Sequence, residues 1–203
     1  MVFSPDDVLQ WLNQLLLPFF RVAAFFMVVP IFGNQLVALR VRVLFALTCA
    51  IALYATLPEI PVVDPLSAEM VVMVFQQIMI GAMLGFLVQI FFHIFVLAGQ
   101  MVAMQMGLGF ASMIDPTNGV SVAVVSQFYV LLVTLLFLAF NGHLVLIDVL
   151  VEGFFAVPIG QQGLAPSMPW QLVSAGSWMF ASAMLLALPR RTSNYRPIPT
   201  ARA

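Results

Sequence analysis

The sequence predicts an all-α integral membrane protein with several helices, and three observations lead to that fold class. Of the 203 residues, 63% are hydrophobic and 7% are charged, whereas a soluble domain usually carries about 25% charged residues. Long apolar runs follow one another, and several approach or exceed the roughly 20 residues that cross a bilayer as a helix. Because lipid offers the backbone no hydrogen-bond partners, these runs are expected to be helical.

The apolar runs define the expected helices and one structural domain. They cover about Val8–Pro30, Val41–Leu57, Met70–Ala98, Val120–Phe140, Leu144–Val157 and Leu172–Leu188. The connector Pro58–Glu69 separates the second run from the third, the connector Pro158–Trp170 separates the fifth from the sixth, and both are rich in proline. We therefore predict a single helical membrane domain over residues 1–189. Residues 190–203 form a polar tail rich in Arg and Pro, which we expect to be disordered.

Composition and motifs argue against several classes of function. The net charge is −1 and no basic run is present, so nucleic acid is not an expected partner. Cys49 is the single cysteine, which excludes an internal disulfide and a cysteine metal cluster. His143 lies nearly half a turn off the helical face that Asp148 and Glu152 share, so these three residues do not predict a metal site. We predict a non-enzymatic protein with no catalytic residues, no cofactor and no metal.

Polar side chains inside the apolar runs indicate that parts of these helices do not face lipid. Such groups are costly in hydrocarbon and are expected to face protein or water. Ordinary packing between neighbouring helices and a pore or subunit interface both remain open. Gly81 and Gly85 add a pattern of small residues that is typical of close helix contact. The polar residues are Arg21, Gln76, Gln77, Gln89, His93, Gln100 and Gln105.

The stretch GLGFASMIDPTNG, residues 107–119, interrupts the apolar pattern. Gly107 and Gly109 can adopt conformations that other residues avoid. Asp115-Pro116 is expected to end the irregular segment, and the chain then turns into the next helix near Val120. Backbone that is irregular at membrane depth is tolerated only inside protein or along a water-filled path. A surface turn between two helices and a channel plug are both compatible with these residues.

Methionines are dense around the same stretch. An unbranched thioether can fill an irregular core, or it can form a deformable seal that repacks against changing surfaces. The residues alone do not decide between these roles. The methionines concerned are Met101, Met104, Met106 and Met113.

Five ordered segments resemble one known family. They are PIFGNQLVALRVR (30–42), QQIMIGAMLGF (76–86), AGQMVAMQMGLGFASMIDP (98–116), LLFLAFNGHLVLIDVLVEGFFAVPIG (135–160) and AMLLALP (183–189). From about Trp11 to Pro189 the chain resembles FliR, the export-gate subunit of the bacterial flagellar type III secretion system. Virulence injectisomes contain a related subunit, but the segments around NGH and QMGL are more similar to the flagellar branch. After AMLLALP the family continues with apolar helices, whereas this chain continues with its polar tail.

The resemblance implies a structural and gating subunit of a protein-export channel. FliR-like proteins form one helical assembly with FliP and FliQ subunits at the entry of the secretion channel, with broken helices that do not cross the membrane as simple spans. The implied location is the bacterial inner membrane, within the flagellar basal body. Further implied partners are FlhB, FlhA, exported flagellar proteins and membrane lipid. The alternatives are the equivalent virulence subunit or, in a different class, a secondary membrane transporter.

The resemblance also implies roles for particular residues. The matching loop of FliR proteins lies in the channel beside a ring of methionines from FliP, with Phe110, Met113 and Ile114 here on irregular backbone. The implied pore plug comprises Gly107, Gly109, Phe110, Met113, Ile114, Asp115 and Pro116. The residues expected to face other subunits are Gln76, Gln77, Gly81, Gly85, Gln105, Asn141 and His143.

Overall fold

The computed structural model describes residues 5–33, 37–54, 56–57, 60–61, 63–64, 67–108, 112–114, 121–160 and 167–188. In this part of the chain the helices are α1 (Pro5–Val28), α2 (Leu39–Tyr54), α3 (Ala68–Gln105), α4 (Val124–Ala139), α5 (Gly142–Ala156) and α6 (Ser167–Ala187). Each predicted apolar run overlaps one of these helices, which confirms the all-α fold class. Two short strands, β1 (Ser112–Ile114) and β2 (Ser121–Ala123), lie between α3 and α4. The tail at residues 190–203 lies outside the described residues, and the division at residue 189 stays a prediction.

Helix α3 is the longest of the described helices, and other helices pack against it. It has 38 residues and is therefore about 57 Å long, at about 1.5 Å per residue. Helices α1, α4 and α6 pack along it, and α2 packs against α1. Ser67 caps its start by accepting a hydrogen bond from the backbone N–H of Met70 at 3.2 Å, which satisfies one donor of the first turn.

The core lies where α1, α2, α3 and α5 meet. Phe26 is buried in it and contacts the rings of Phe25, Phe32 and Phe45, with ring centroids 5.3, 5.0 and 4.9 Å away. Leu150 is fully buried in the same cluster. Outside this core the chain leaves large apolar side chains uncovered, so lipid or other subunits must cover them.

Few of the described helices can cross a membrane alone. By length and composition, α3 is the single candidate span among them. Helices α4 and α5 qualify only together, and they are bent by 75° at their junction. Since α3 is nearly twice as long as the roughly 30 Å hydrocarbon core of a bilayer, it does not fit as a simple perpendicular span. This geometry agrees with the broken helices that the family resemblance implies.

Candidate functional site

The connector between α3 and α4 forms a two-stranded antiparallel ribbon. Ser112 lies opposite Ala123, and Ile114 lies opposite Ser121. The prediction of irregular backbone was therefore wrong at Met113, which pairs with Val122, and at Ile114. The physical reason is that antiparallel pairing satisfies backbone N–H and C=O groups that neither flanking helix reaches. Where water is scarce, an open backbone would be costly.

The ribbon is attached to its two helices in different ways. Gly107 follows α3 with φ +72°, in the left-handed region that favours glycine. Its N–H donates to the carbonyl oxygen of Met104 at 3.1 Å, and that of Leu108 donates to Ala103 at 2.9 Å. Strand β2, in contrast, runs directly into α4, which begins at Val124 rather than near Val120. The remaining predicted plug residues lie outside the described residues: Gly109, Phe110, Asp115 and Pro116.

Exposed apolar side chains surround the beginning of the connector. Met104 is 75% exposed and Met106 is 64% exposed, and Leu108 beside them is exposed too. Apolar side chains clustered in this way usually contact a partner surface or line a binding groove. These two methionines fill no space inside the chain, so they are not core filler of this subunit.

A buried arginine lies far from the ribbon, at the other end of α3. The guanidinium of Arg21, on α1, is completely buried. Its Nε donates to Oε1 of Gln77 on α3 at 2.8 Å. Its Nη1 and Nη2 donate to the carbonyl oxygens of Gly153 at 3.1 Å and Val157 at 2.9 Å. Its Cζ also lies 4.3 Å from the centre of the Phe154 ring.

The electrostatics of this cluster explain how a buried cation is stabilised. Gly153 and Val157 are at the C-terminal end of α5, where carbonyl groups carry partial negative charge. The carbonyl oxygen of Gly153 also accepts a hydrogen bond from the backbone N–H of Val157 at 3.1 Å. Helix α5 has no basic residue in its own last turn. Arg21, which stays positively charged in proteins, supplies that cation from another helix. The arginine therefore ties α1, α3 and α5 together.

The sequence marks Arg21 as a polar residue in an apolar run, but it does not indicate the partners of its side chain. Gln77 is 56 positions away and Val157 is 136 positions away. No local spacing relates residues at such separations. The partners follow from the packing of three helices, which hydropathy and short motifs do not contain.

Three of the predicted interface residues are occupied by contacts within the chain. Gln77 is buried and accepts the hydrogen bond from Arg21. A Cβ atom at Gly81 would collide with the backbone oxygen of Arg21, and one at Gly85 would lie 2.8 Å from Cβ of Val28. These contacts agree with the packing alternative that the sequence left open. The subunit interface itself remains a prediction, for these three residues as for the other four.

The other four residues are exposed or half-buried in this chain. Gln105 is exposed near the ribbon, and Gln76 is half-buried on α3. Asn141 is exposed with φ 57°, and it forms the junction of the bent pair α4 and α5. His143 is half-buried, and its Nδ1 has no hydrogen-bond partner within the described residues.

Comparison with known proteins relates the chain to one family. The family model described as bacterial export proteins, family 1, matches residues 12–193. The flagellar biosynthetic protein FliR of Escherichia coli strain K12 is 38% identical over 188 residues, which are 92% of this chain and 71% of that protein. FliR of Pectobacterium carotovorum subsp. carotovorum is 34% identical over 191 residues, 93% of this chain and 72% of that protein.

A virulence-associated protein is also similar, over a shorter length. The surface presentation of antigens protein SpaR of Shigella flexneri is 25% identical over 146 residues, 71% of this chain and 56% of that protein. The family match and the flagellar identities together show that this chain belongs to the FliR family of bacterial export proteins.

Proposed function

We propose that this chain is the structural and gating subunit of the flagellar type III export gate, and that it forms part of the entry pore without catalysing a reaction. Family membership supports the process, since the flagellar relatives carry the name FliR. The observation that carries the gating role is the ribbon between α3 and α4, which begins beside the exposed Met104 and Met106.

The ribbon suits a plug because the backbone of its two strands is paired. An apolar constriction blocks ions by dewetting, because water and ions are unstable in a narrow apolar passage. Phe110, Met113 and Ile114 supply apolar side chains within the connector. Methionines beside it can repack around a passing polypeptide, since an unbranched thioether adapts to changing surfaces. The connector would close the pore at rest and yield during export.

The partners we propose are FliP-like and FliQ-like subunits. Phe140 at the bend is 78% exposed, and Trp170 and Trp178 on α6 are 74% and 73% exposed. Subunits and membrane lipid together would cover such apolar surface. We further propose contacts with FlhB, FlhA and exported flagellar proteins, in the inner membrane at the flagellar basal body. A virulence role has weaker support, because SpaR is 25% identical whereas the flagellar relatives quoted above reach 34% and 38%.

Deletion of residues 109–114 tests the gating role. The variant would be expressed with the other gate subunits, and small-ion leak across the inner membrane would be measured together with secretion. A plug predicts raised leak with secretion at least partly kept. A matched variant replaces the same residues by Gly and Ser, so that connector length is kept and the apolar side chains are lost, and it should also leak.

Gly176→Ala on α6 is the control, because a Cβ at Gly176 would meet no atom within 4 Å. It should leave the leak unchanged. If the deletion and the Gly–Ser variant both assemble and both conduct like the unmodified gate, the connector is a turn and not a plug.

A further inference from the structure

Helices α3 and α4 touch directly below the ribbon, at Gly99 and Ser126. A Cβ atom at Gly99 would lie 2.5 Å from Cα and 2.9 Å from the backbone N of Ser126. These are backbone atoms, so no rotation of a side chain could relieve the overlap. The first turn of α4 is therefore closer to α3 than any residue other than glycine at position 99 allows.

Ser126 provides a second, independent observation. Its side chain is fully buried, and its Oγ has no hydrogen-bond partner among the described residues. Leaving a buried hydroxyl unpaired costs free energy. The same oxygen would lie 3.0 Å from a Cβ at Gly99. The close approach is thus kept although the serine gains no hydrogen bond from it.

We propose that Gly99 is a positioning residue for the plug, because it sets the distance between the two helices that carry the ribbon. This inference rests on the proposed function, in which the connector closes the channel. Strand β2 ends at Ala123 and α4 begins at Val124. With no residue between them, a displacement of the first turn of α4 moves β2 by a similar amount. β1 is paired with β2 and follows it.

Other glycines of the chain allow this role to be separated from ordinary packing. Gly85 is on the same helix, and a Cβ there would also overlap a neighbour, the side chain of Val28 at 2.8 Å. It faces α1, however, and is about 21 Å from Gly99 along the helix, at about 1.5 Å per residue. Gly176 on α6 has open space around it.

The test measures ion leak per assembled gate in the full complex, for Gly99→Ala, Gly85→Ala and Gly176→Ala. The methyl group that Gly99→Ala adds would overpack the contact between α3 and α4 and displace the plug from its closed position. The variant should therefore raise the leak about fivefold or more. Gly85→Ala should reduce the amount of assembled gate without raising the leak per gate. Gly176→Ala should change neither quantity.

A second pair of variants approaches the contact from α4. Ser126→Val adds bulk toward Gly99 and should raise the leak, as Gly99→Ala does. Ser126→Ala removes only the unpaired hydroxyl and should not. If both enlarging variants fail to assemble while Gly85→Ala assembles, the contact is a general folding requirement and the proposal is overturned.

The leak itself separates this inference from the proposed function. Unchanged leak in an assembled Gly99→Ala gate, together with raised leak after deletion of residues 109–114, overturns the positioning role and leaves the plug intact. An equal rise in Gly85→Ala also overturns it, because the effect would not depend on the contact below the ribbon. Unchanged leak after the deletion overturns the plug itself, and the positioning role with it.

Discussion

The two ends of α3 are built in opposite ways. Near its N-terminal end, Gln77 is buried and hydrogen-bonded to Arg21, and Gly81 packs against the backbone of α1. At its C-terminal end, Met104 and Met106 are exposed, and Gly107 has open space around it. We call these regions the anchored end and the ribbon end. Moving parts of proteins usually have low local stability, and the exposed side chains at the ribbon end contrast with the buried, hydrogen-bonded side chains at the anchored end.

The anchored end also gathers parts of the chain that are distant in sequence. Asn13 Nδ2 donates to the carbonyl oxygen of Val63 at 2.7 Å, which joins α1 to the connector before α3. Gly160, with φ +85°, packs against the ring of Pro61. The connector between α5 and α6 therefore contacts the connector between α2 and α3. From the difference between the ends we propose that stability and gating depend on different residues of one helix. Substitutions at the two ends should therefore separate the two properties.

The largest expected effect is that of Arg21→Ala at the anchored end. The substitution removes the guanidinium donors from Oε1 of Gln77 and from the carbonyl oxygens of Gly153 and Val157, and it opens a cavity. The Gly153 oxygen keeps its hydrogen bond from the backbone N–H of Val157. We expect a loss of about 3 kcal/mol or more in the free energy of unfolding. Thermal unfolding of the purified complex, with its yield, measures this. The gates that do assemble should keep their ion seal.

Arg21→Lys is the matched control. It keeps the positive charge but cannot present three donors in the planar arrangement of a guanidinium. Stability should therefore lie between those of the unmodified protein and Arg21→Ala. Equal stability of all three proteins would show that the cluster does not hold the anchored end together.

A smaller loss is expected from Gly81→Ala. The added methyl group would collide with the backbone oxygen of Arg21, and overpacking of this kind costs about 1–3 kcal/mol. Gly176→Ala is again the control, and there the better helix propensity of alanine should add up to about 1 kcal/mol of stability. Thermal unfolding of both complexes compares them. A stabilising effect of both substitutions would contradict the close contact between α1 and α3.

Much of the fold could be predicted because apolar runs of sufficient length have few alternatives to helix in lipid. The helix ends were less accurate. The third run was expected to end near Ala98, but α3 continues to Gln105. Polar Gln100 and Gln105 lower the hydropathy without breaking the backbone, and the helix stops only where Gly107 adopts a left-handed conformation.

The ribbon and the arginine cluster were missed for different reasons. The Asn118-Gly119 step predicts a turn into the next helix, and it does not by itself predict that residues 112–114 pair with residues 121–123. The partners of Arg21 depend on how α1, α3 and α5 pack, and no local pattern contains that. The sequence therefore located the candidate plug, whereas the structure was needed to find what anchors its helix.

The smallest effect on stability should follow Met104→Ala combined with Met106→Ala at the ribbon end. Both side chains are exposed in this chain, and such substitutions usually change the free energy of unfolding by less than about 0.5 kcal/mol each. If the methionines complete the seal, ion leak should nevertheless rise, though less than after deletion of residues 109–114. Met70→Ala is the matched control, since Met70 is on the same helix but is buried at the anchored end. It should lose about 2–5 kcal/mol of stability without a rise in leak per gate. If the double variant instead destabilised the complex as much as Met70→Ala and left the leak unchanged, the methionines at the ribbon end would be packing residues, and the two ends of α3 would not differ in function.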